Sequence, residues 1–320
     1  MSRIKISRSS QSSIQQVGVT RAAYNREEMN SQPDSEQSAF NQEPRGWQSD
    51  PQVLSIPPQI SKKLSSFRVL RSNIHAVEID DVIKVFEQWI AVRARSHYVA
   101  LCNVHMMMEA YNNPYLHVAL ASADLVAPDG MPLIWAGRHH GFQLRRRVYG
   151  PDLFLEFCQT TAAKGYRHFL FGGHPGVPRA VAARLRRSCP GIQIAGTYSP
   201  PFRNHTPAEL REMIARINDS GADVLWVALG CPKQELWMYE NRDRLNVPVV
   251  VGVGQAFDLF AGRVRQAPRW SRDMGLEWAF RLVTNPRRLW RRYLFFNTQF
   301  LYCLALDGLG LLERGQRPDD

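Results

Sequence analysis

The chain has 320 residues, 44% hydrophobic and 22% charged, which is ample apolar material for a buried core. Its net charge of +11 calls for an anionic partner and leaves three classes open: nucleic acid, an anionic membrane surface or a phosphorylated substrate. The five cysteines (Cys102, Cys158, Cys189, Cys231, Cys303) are odd in number and include no CxxC pair, which argues against a disulfide framework and a structural zinc and suits a reducing compartment.

Residues 1–66 are rich in Ser, Gln, Asn and Pro with little hydrophobic periodicity, and are expected to be a disordered extension without a secretory signal. The fold is expected to begin near Phe67. Asp80 and Asp81 open an amphipathic helix carrying Val82, Val85, Phe86, Trp89 and Ile90 on one face. Short apolar strands follow at Tyr98–Cys102 and Leu125–Ala127, separated by a helix over Met106–Ala121 that breaks near Pro114. Helices are expected at 131–140 and 152–163, a strand at His168–Phe171, a helix at 178–188 and a strand at Ile192–Gly196. Thr206-Pro207-Ala208-Glu209 spells a capping box with proline at the first helical position, opening a helix to Asp219. Val224–Leu229 and Val249–Val253 are continuous apolar runs, as strands covered on both faces require, and a helix at 232–244 joins them. This alternation predicts an α/β fold: a Rossmann-like, mostly parallel sheet with helices on both faces, over residues 67–262. Residues 263–320 form a helical appendage in which arginines alternate with Trp270, Trp278, Trp290, Tyr293, Phe295 and Phe296, a composition suited to a membrane surface. The stretch Tyr293–Leu312 is long enough to span a bilayer but too polar to be expected to.

Parallel sheets bind ligands at the carboxyl ends of their strands. Four polar or glycine-rich stretches fall there: Asn103, Pro128-Asp129-Gly130, Gly230–Glu235 and Gly252–Gln255. Taken singly, Asp129 is either a turn or cap residue or a carboxylate free to accept a proton. Gln234 is either a surface residue or a ligand contact at a helix start, and Asp258 either a cap or an acceptor toward ligand. Gly172-Gly173 and Gly252-Val253-Gly254 invite a nicotinamide-nucleotide reading but do not complete GxGxxG. No histidine spacing or DxD motif announces a metal, and no cofactor is expected. Arg281, Arg288 and Arg291, at offsets of seven and three, would share one face of a continuous helix, though Pro286 intervenes.

The segments "ASADLVAPDGMPLIWAGR", "RRRVYGPDL", "LWVALGCPKQELW", "VGVGQAFDLFAGRVRQAPRW" and "GLEWAFRLVTNPRRLWRRYL" occur in order and together resemble the WecG/TagA/CpsF glycosyltransferases, over about residues 68–300. The resemblance implies a metal-independent inverting transferase. It would move a sugar of glucose or N-acetylmannosamine type from a UDP-sugar to an undecaprenyl-diphosphate-linked acceptor, at the inner face of a bacterial cell membrane. It assigns Asp129 as base, Asn103, Arg147 and Gln234 to the pocket, and Arg281, Arg288 and Arg291 to an appendage that closes over the site. Cys102-Asn103-Val104-His105 departs from the usual Thr or Pro near the Asn. The xanthan- and acetan-type exopolysaccharide branch looks nearer than the N-acetylmannosamine branch. The competing readings are a nucleic-acid-binding module, which lacks any recognised motif, and a nicotinamide oxidoreductase; the leading reading expects no nucleic acid and leaves a homo-oligomer open.

Overall fold

The computed structural model describes residues 64–308 except 204 and 285, and excludes the side chains of 269, 273, 287–289, 291–293 and 308. The extension expected over 1–66 therefore falls, up to residue 63, outside the described residues. The described chain opens with an antiparallel hairpin, β1 (Ser66–Val69) and β2 (Ser72–His75). Helix α1 (Ile79–Val92) follows. Its first turn is closed by a capping box between Glu78 and Asp81, and Ile79, Val82, Phe86 and Ile90 recur at helical spacing to make its buried face.

Next come β3 (His97–Cys102), α2 (Val104–Asn112), α3 (Pro114–Ala121), β4 (Leu125–Pro128), α4 (Met131–His139) and α5 (Gly150–Thr161). The second half holds β5 (Arg167–Gly172), α6 (Val177–Ser188), β6 (Gln193–Tyr198), α7 (Pro207–Asp219), β7 (Val224–Ala228), α8 (Lys233–Asn241), β8 (Val249–Gly252) and α9 (Ala256–Phe260). The expected break before Pro114 falls at Asn113, whose side chain accepts from Tyr115 and Leu116 and so restarts the chain as α3. The Thr206–Glu209 capping box is present at the start of α7.

Strands β3 to β8 form one sheet in the order β4-β3-β8-β7-β5-β6, and every neighbouring pair is parallel. The pleat sorts side chains to the two faces. Val99 and Leu101 of β3, Trp226 of β7 and Val251 of β8 join the cluster under α1, α5 and α6. The alternate residues face the other way: Ala100 and Cys102 meet α2 and α4, while Leu225, Val227 and Val250 meet α7. Trp226 anchors the first face edge-on to Phe154, with ring centroids 4.9 Å apart. Its indole N–H donates to His168 Nδ1 at 3.1 Å, and burial lowers the His168 pKa to about 4, which keeps that acceptor neutral. The α/β architecture expected from the sequence is the one the chain adopts.

Three helices complete the described chain: α10 (Arg269–Asp273), α11 (Glu277–Thr284) and α12 (Pro286–Gly308). Phe300 and Cys303 of α12 are buried in the same cluster as Met106, Met107 and Met108 of α2. Asn112 and Gln299 exchange amide hydrogen bonds of 3.3 and 3.0 Å across that contact. No helix among the described residues is long and apolar enough to cross a membrane.

Candidate active site

Because β3, β4, β7 and β8 are parallel neighbours, their carboxyl ends share one sheet edge, and the loops at 103, 128–130, 230–235 and 252–255 all leave from it. Two of those loops meet over a cavity of about 960 Å³. Asn103 caps α2, its Oδ1 accepting from the Met106 amide at 3.2 Å, which leaves Nδ2 free to donate to Asp129 Oδ2 at 3.3 Å. The second carboxylate oxygen of Asp129 accepts from the Gly150 amide at 3.3 Å. Gly130, not Asp129, is the cap of α4, so the cap reading of Asp129 does not hold. Asp129 itself lines the cavity. Burial pushes the Asp129 carboxyl from 3.8 up to about 7; Arg147, Asn103 and Arg281 act against that rise and Glu277 adds to it. A carboxylate poised near neutrality is suited to take a proton from a hydroxyl.

The Val148 amide donates to the Pro128 carbonyl at 2.8 Å and draws the segment before α5 alongside β4. That contact sets Arg147 and Tyr149 beside Asp129. Arg147 stacks over the Tyr149 ring, Cζ 4.4 Å from its centroid, and donates to the backbone carbonyl of Asp129 at 3.3 Å. From the C-terminal side, α11 delivers Glu277. Its carboxylate accepts from Arg147 and, at 3.0 Å, from the Tyr149 hydroxyl, and it pairs with Arg281 one turn on. Burial alone would raise the Glu277 carboxyl, but Arg281 and Arg147 together hold it below its ordinary value. Beyond this polar end the cavity runs between Met131 and Trp135 of α4 and Phe296, Phe300 and Leu304 of α12. The spacing of four on both helices makes those walls apolar stripes.

Of the residues expected at the site, the structure gathers Asn103, Asp129, Arg147 and Arg281 around the cavity. Gln234 and Asp258 lie elsewhere. Gln234 is buried, not on the surface: its Oε1 accepts from the Gly254 amide at 3.0 Å and its Nε2 donates to Glu235 at 2.7 Å, tying α8 to the loop after β8. Asp258 sits in α9 and faces Arg263, 3.4 Å away. The side chains of Arg288 and Arg291 lie outside the described residues. Arg281 belongs to α11, described to Thr284, and residues 288 and 291 to α12, described from Pro286; residue 285 between them also lies outside the described residues. Sequence reasoning missed Tyr149 and Glu277 at the cavity and the buried Glu235 behind it. Burial pushes Glu235 up to about 7 against its contacts with Gln234 and Cys231.

Gly172 has a packing reason of its own. A Cβ on Gly172, at φ 111°, would lie 2.5 Å from the Ala228 carbonyl oxygen, so only glycine lets β5 and β7 end this close together. Gly252 is likewise pressed against Gln234 and Met238.

A parallel α/β sheet with a carboxylate and two guanidinium groups in a large cavity at its carboxyl edge has the make-up of a ligand site suited to an anionic substrate. Residues 67–313 match the model of the glycosyl transferase WecG/TagA/CpsF family, and the chain belongs to that family. It is similar, with 34% identity over 217 residues (68% of this chain and 82% of the relative), to an N-acetylglucosaminyldiphosphoundecaprenol N-acetyl-beta-D-mannosaminyltransferase of Bacillus spizizenii. The protein is thus a glycosyltransferase, which leaves the nucleic-acid-binding and nicotinamide readings without support.

Proposed function

We propose that the protein is an inverting transferase that moves a hexose from a UDP-sugar onto a saccharide carried by a polyprenyl diphosphate, at the inner membrane face, in the assembly of an exopolysaccharide or related surface polymer. The observation that carries this reading is the Asp129 carboxylate, fixed by Asn103 and Gly150 in the cavity and raised to about 7. In that state Asp129 accepts the proton of an acceptor hydroxyl as its oxygen bonds to the anomeric carbon, and the bond from that carbon to the UDP oxygen breaks on the opposite face. The departing diphosphate gains negative charge. Arg147 and Arg281 are cations already lining the cavity and suited to stabilise it without a metal ion. The apolar stripes of α4 and α12 suit the lipid side of such an acceptor. Exposed Trp270, Trp278, Val283, Trp290, Leu294 and Phe295 on the last three helices suit contact with the bilayer surface that holds it.

The acceptor class comes from the relative's name, and the lipid-facing composition of α11 and α12 agrees with it. The test begins with thermal shifts against a panel of UDP-sugars, since a ligand that binds the native state raises its midpoint. The selected donor is then incubated with a synthetic polyprenyl-diphosphate saccharide. Transfer by wild type, with inversion at the anomeric carbon and no dependence on added divalent cation, is the expected result. Retention of configuration, or transfer only to water, overturns the proposal.

A further inference from the structure

Arg147 is the guanidinium nearest Asp129, yet the two are not joined as an ion pair. Its Nη1 reaches only the backbone carbonyl of Asp129, at 3.3 Å, and its Nη2 is turned to Glu277. Arg281, the second cation lining the cavity, is paired with the same Glu277 carboxylate and lies 3.4 Å from the Tyr149 hydroxyl. Glu277 is buried and accepts from Arg147, Arg281 and Tyr149 at once, three donors shared between its two oxygens. All of this hangs on one residue at the first position of α11, about 150 positions along the chain from Asp129.

We propose that Glu277 is a positioning residue for the transfer reaction: the carboxylate delivered by α11 engages Arg147 and Arg281 and so leaves the Asp129 carboxylate unneutralised and open to a proton. Without that competitor, Arg147, already bonded to the Asp129 backbone carbonyl, is free to turn to the carboxylate of the same residue, and a bidentate Arg147–Asp129 pair would hold the base in its ionised, weakly basic form. The same arrangement links the C-terminal helices to chemistry, since α11 sets the charge that Asp129 feels as it covers the cavity. The direction of the electrostatics agrees: Glu277 raises the Asp129 carboxyl, while Arg147 and Arg281 lower it. Among the described residues, the other groups facing this corner include the Tyr149 hydroxyl, the Cys102 thiol with the buried Glu235 behind it, and His105, with Arg68, His139, His140 and Asp307 farther along the cavity. The Arg272–Asp152 pair, 3.0 Å apart, is beside Tyr149.

The inference rests on Asp129 being the base only for its kinetic arm, so the first measurement uses no substrate. The full-length protein is labelled with carboxyl carbon-13 aspartate, the Asp129 signal is assigned by its loss in Asp129→Asn, and its titration is followed by NMR. In Glu277→Gln the Asp129 midpoint should fall by about one pH unit or more, as expected when a carboxylate gains an adjacent guanidinium. Glu277→Asp, which keeps the charge but withdraws it by one methylene, should fall between the two and tests the idea even where Glu277→Gln does not fold. The acid limb of the turnover profile, measured with the donor that the thermal-shift panel selects, should move by the same amount, with the loss in kcat rather than in donor KM. A midpoint equal to wild type in every folded variant overturns the proposal and leaves the transferase assignment untouched. An unmoved acid limb beside a moved NMR midpoint instead overturns the assignment of Asp129 as base.

Discussion

Replacing Asp129 by asparagine should abolish sugar transfer and at the same time change the pH dependence of stability in a direction set by the burial of that carboxyl. The carboxyl rises from 3.8 to about 7 on folding. Between those values the folded protein keeps a proton that the unfolded chain has released, so wild-type stability declines as pH climbs through that window. The full rise is equivalent to about 4 kcal/mol, present above pH 7 and absent below pH 4. Asparagine removes this dependence. It also supplies only one oxygen where Asp129 accepts from both Asn103 and Gly150, so one donor loses its partner at a cost of about 1–3 kcal/mol. The two effects together predict a variant less stable than wild type at pH 4 and more stable at pH 8, with the difference swinging by about 4 kcal/mol between them. For a folded unit of this size that is a swing on the order of 10 °C in melting midpoint. Calorimetric melts of both proteins across the range measure it. Parallel pH profiles, with the difference constant, would refute the reasoning that Asp129 is driven upward by burial.

The same logic applies at Glu235, also raised to about 7 by burial: Glu235→Gln should melt higher than wild type at pH 8 and show no gain at pH 4. Asn103→Ala removes both the cap of α2 and a donor to Asp129, and denaturant unfolding should register a loss of about 1–2 kcal/mol beside a fall in kcat. Gly252→Ala places a Cβ 2.9 Å from Gln234 Nε2 and Met238 Cε, so it should cost about 1–3 kcal/mol in the same assay, and an unchanged midpoint would mean that this corner relaxes freely. Arg281→Ala should lower kcat by about 10²–10³-fold with donor binding, followed by tryptophan fluorescence, much less affected. If binding and kcat fall together, Arg281 holds the ground state rather than the departing diphosphate.

Much of the sheet was legible because fully covered parallel strands leave little choice of residue. Val224–Ala228 and Val249–Gly252 are buried at every position, and their apolar runs stood out in the sequence. The hairpin of β1 and β2 was not legible. Its strands have four residues each, and its turn is Leu70-Arg71, with Leu70 at φ 52° in place of the glycine or asparagine that usually marks such a bend. The site divided along similar lines. Asn103 and Asp129 follow directly from strand ends, so knowing where β3 and β4 stop was enough to place them on one edge. Gln234 and Asp258 sit on the loops of that same edge, but the side chain of the first turns inward to the Gly254 amide and the second pairs with Arg263. A strand end fixes where a backbone arrives and not where the next side chain points.

Glu277 is the opposite case, a residue whose local pattern conceals its place. Four residues ahead of Arg281 on a helix, it has the spacing of a surface ion pair of small worth. What moves it from that class is a contact with Arg147 and Tyr149 across about 130 positions, between a helix and a loop whose approach depends on tertiary packing alone. Of the arginines at 281, 288 and 291, Arg281 is the one whose side chain is among those described, and it too is placed by tertiary packing. Periodicity can report which residues share a helix face, but packing decides what that face meets: here it brings Arg281 to Glu277 at the polar end of the cavity and sets Phe296, Phe300 and Leu304 of α12 along its apolar wall.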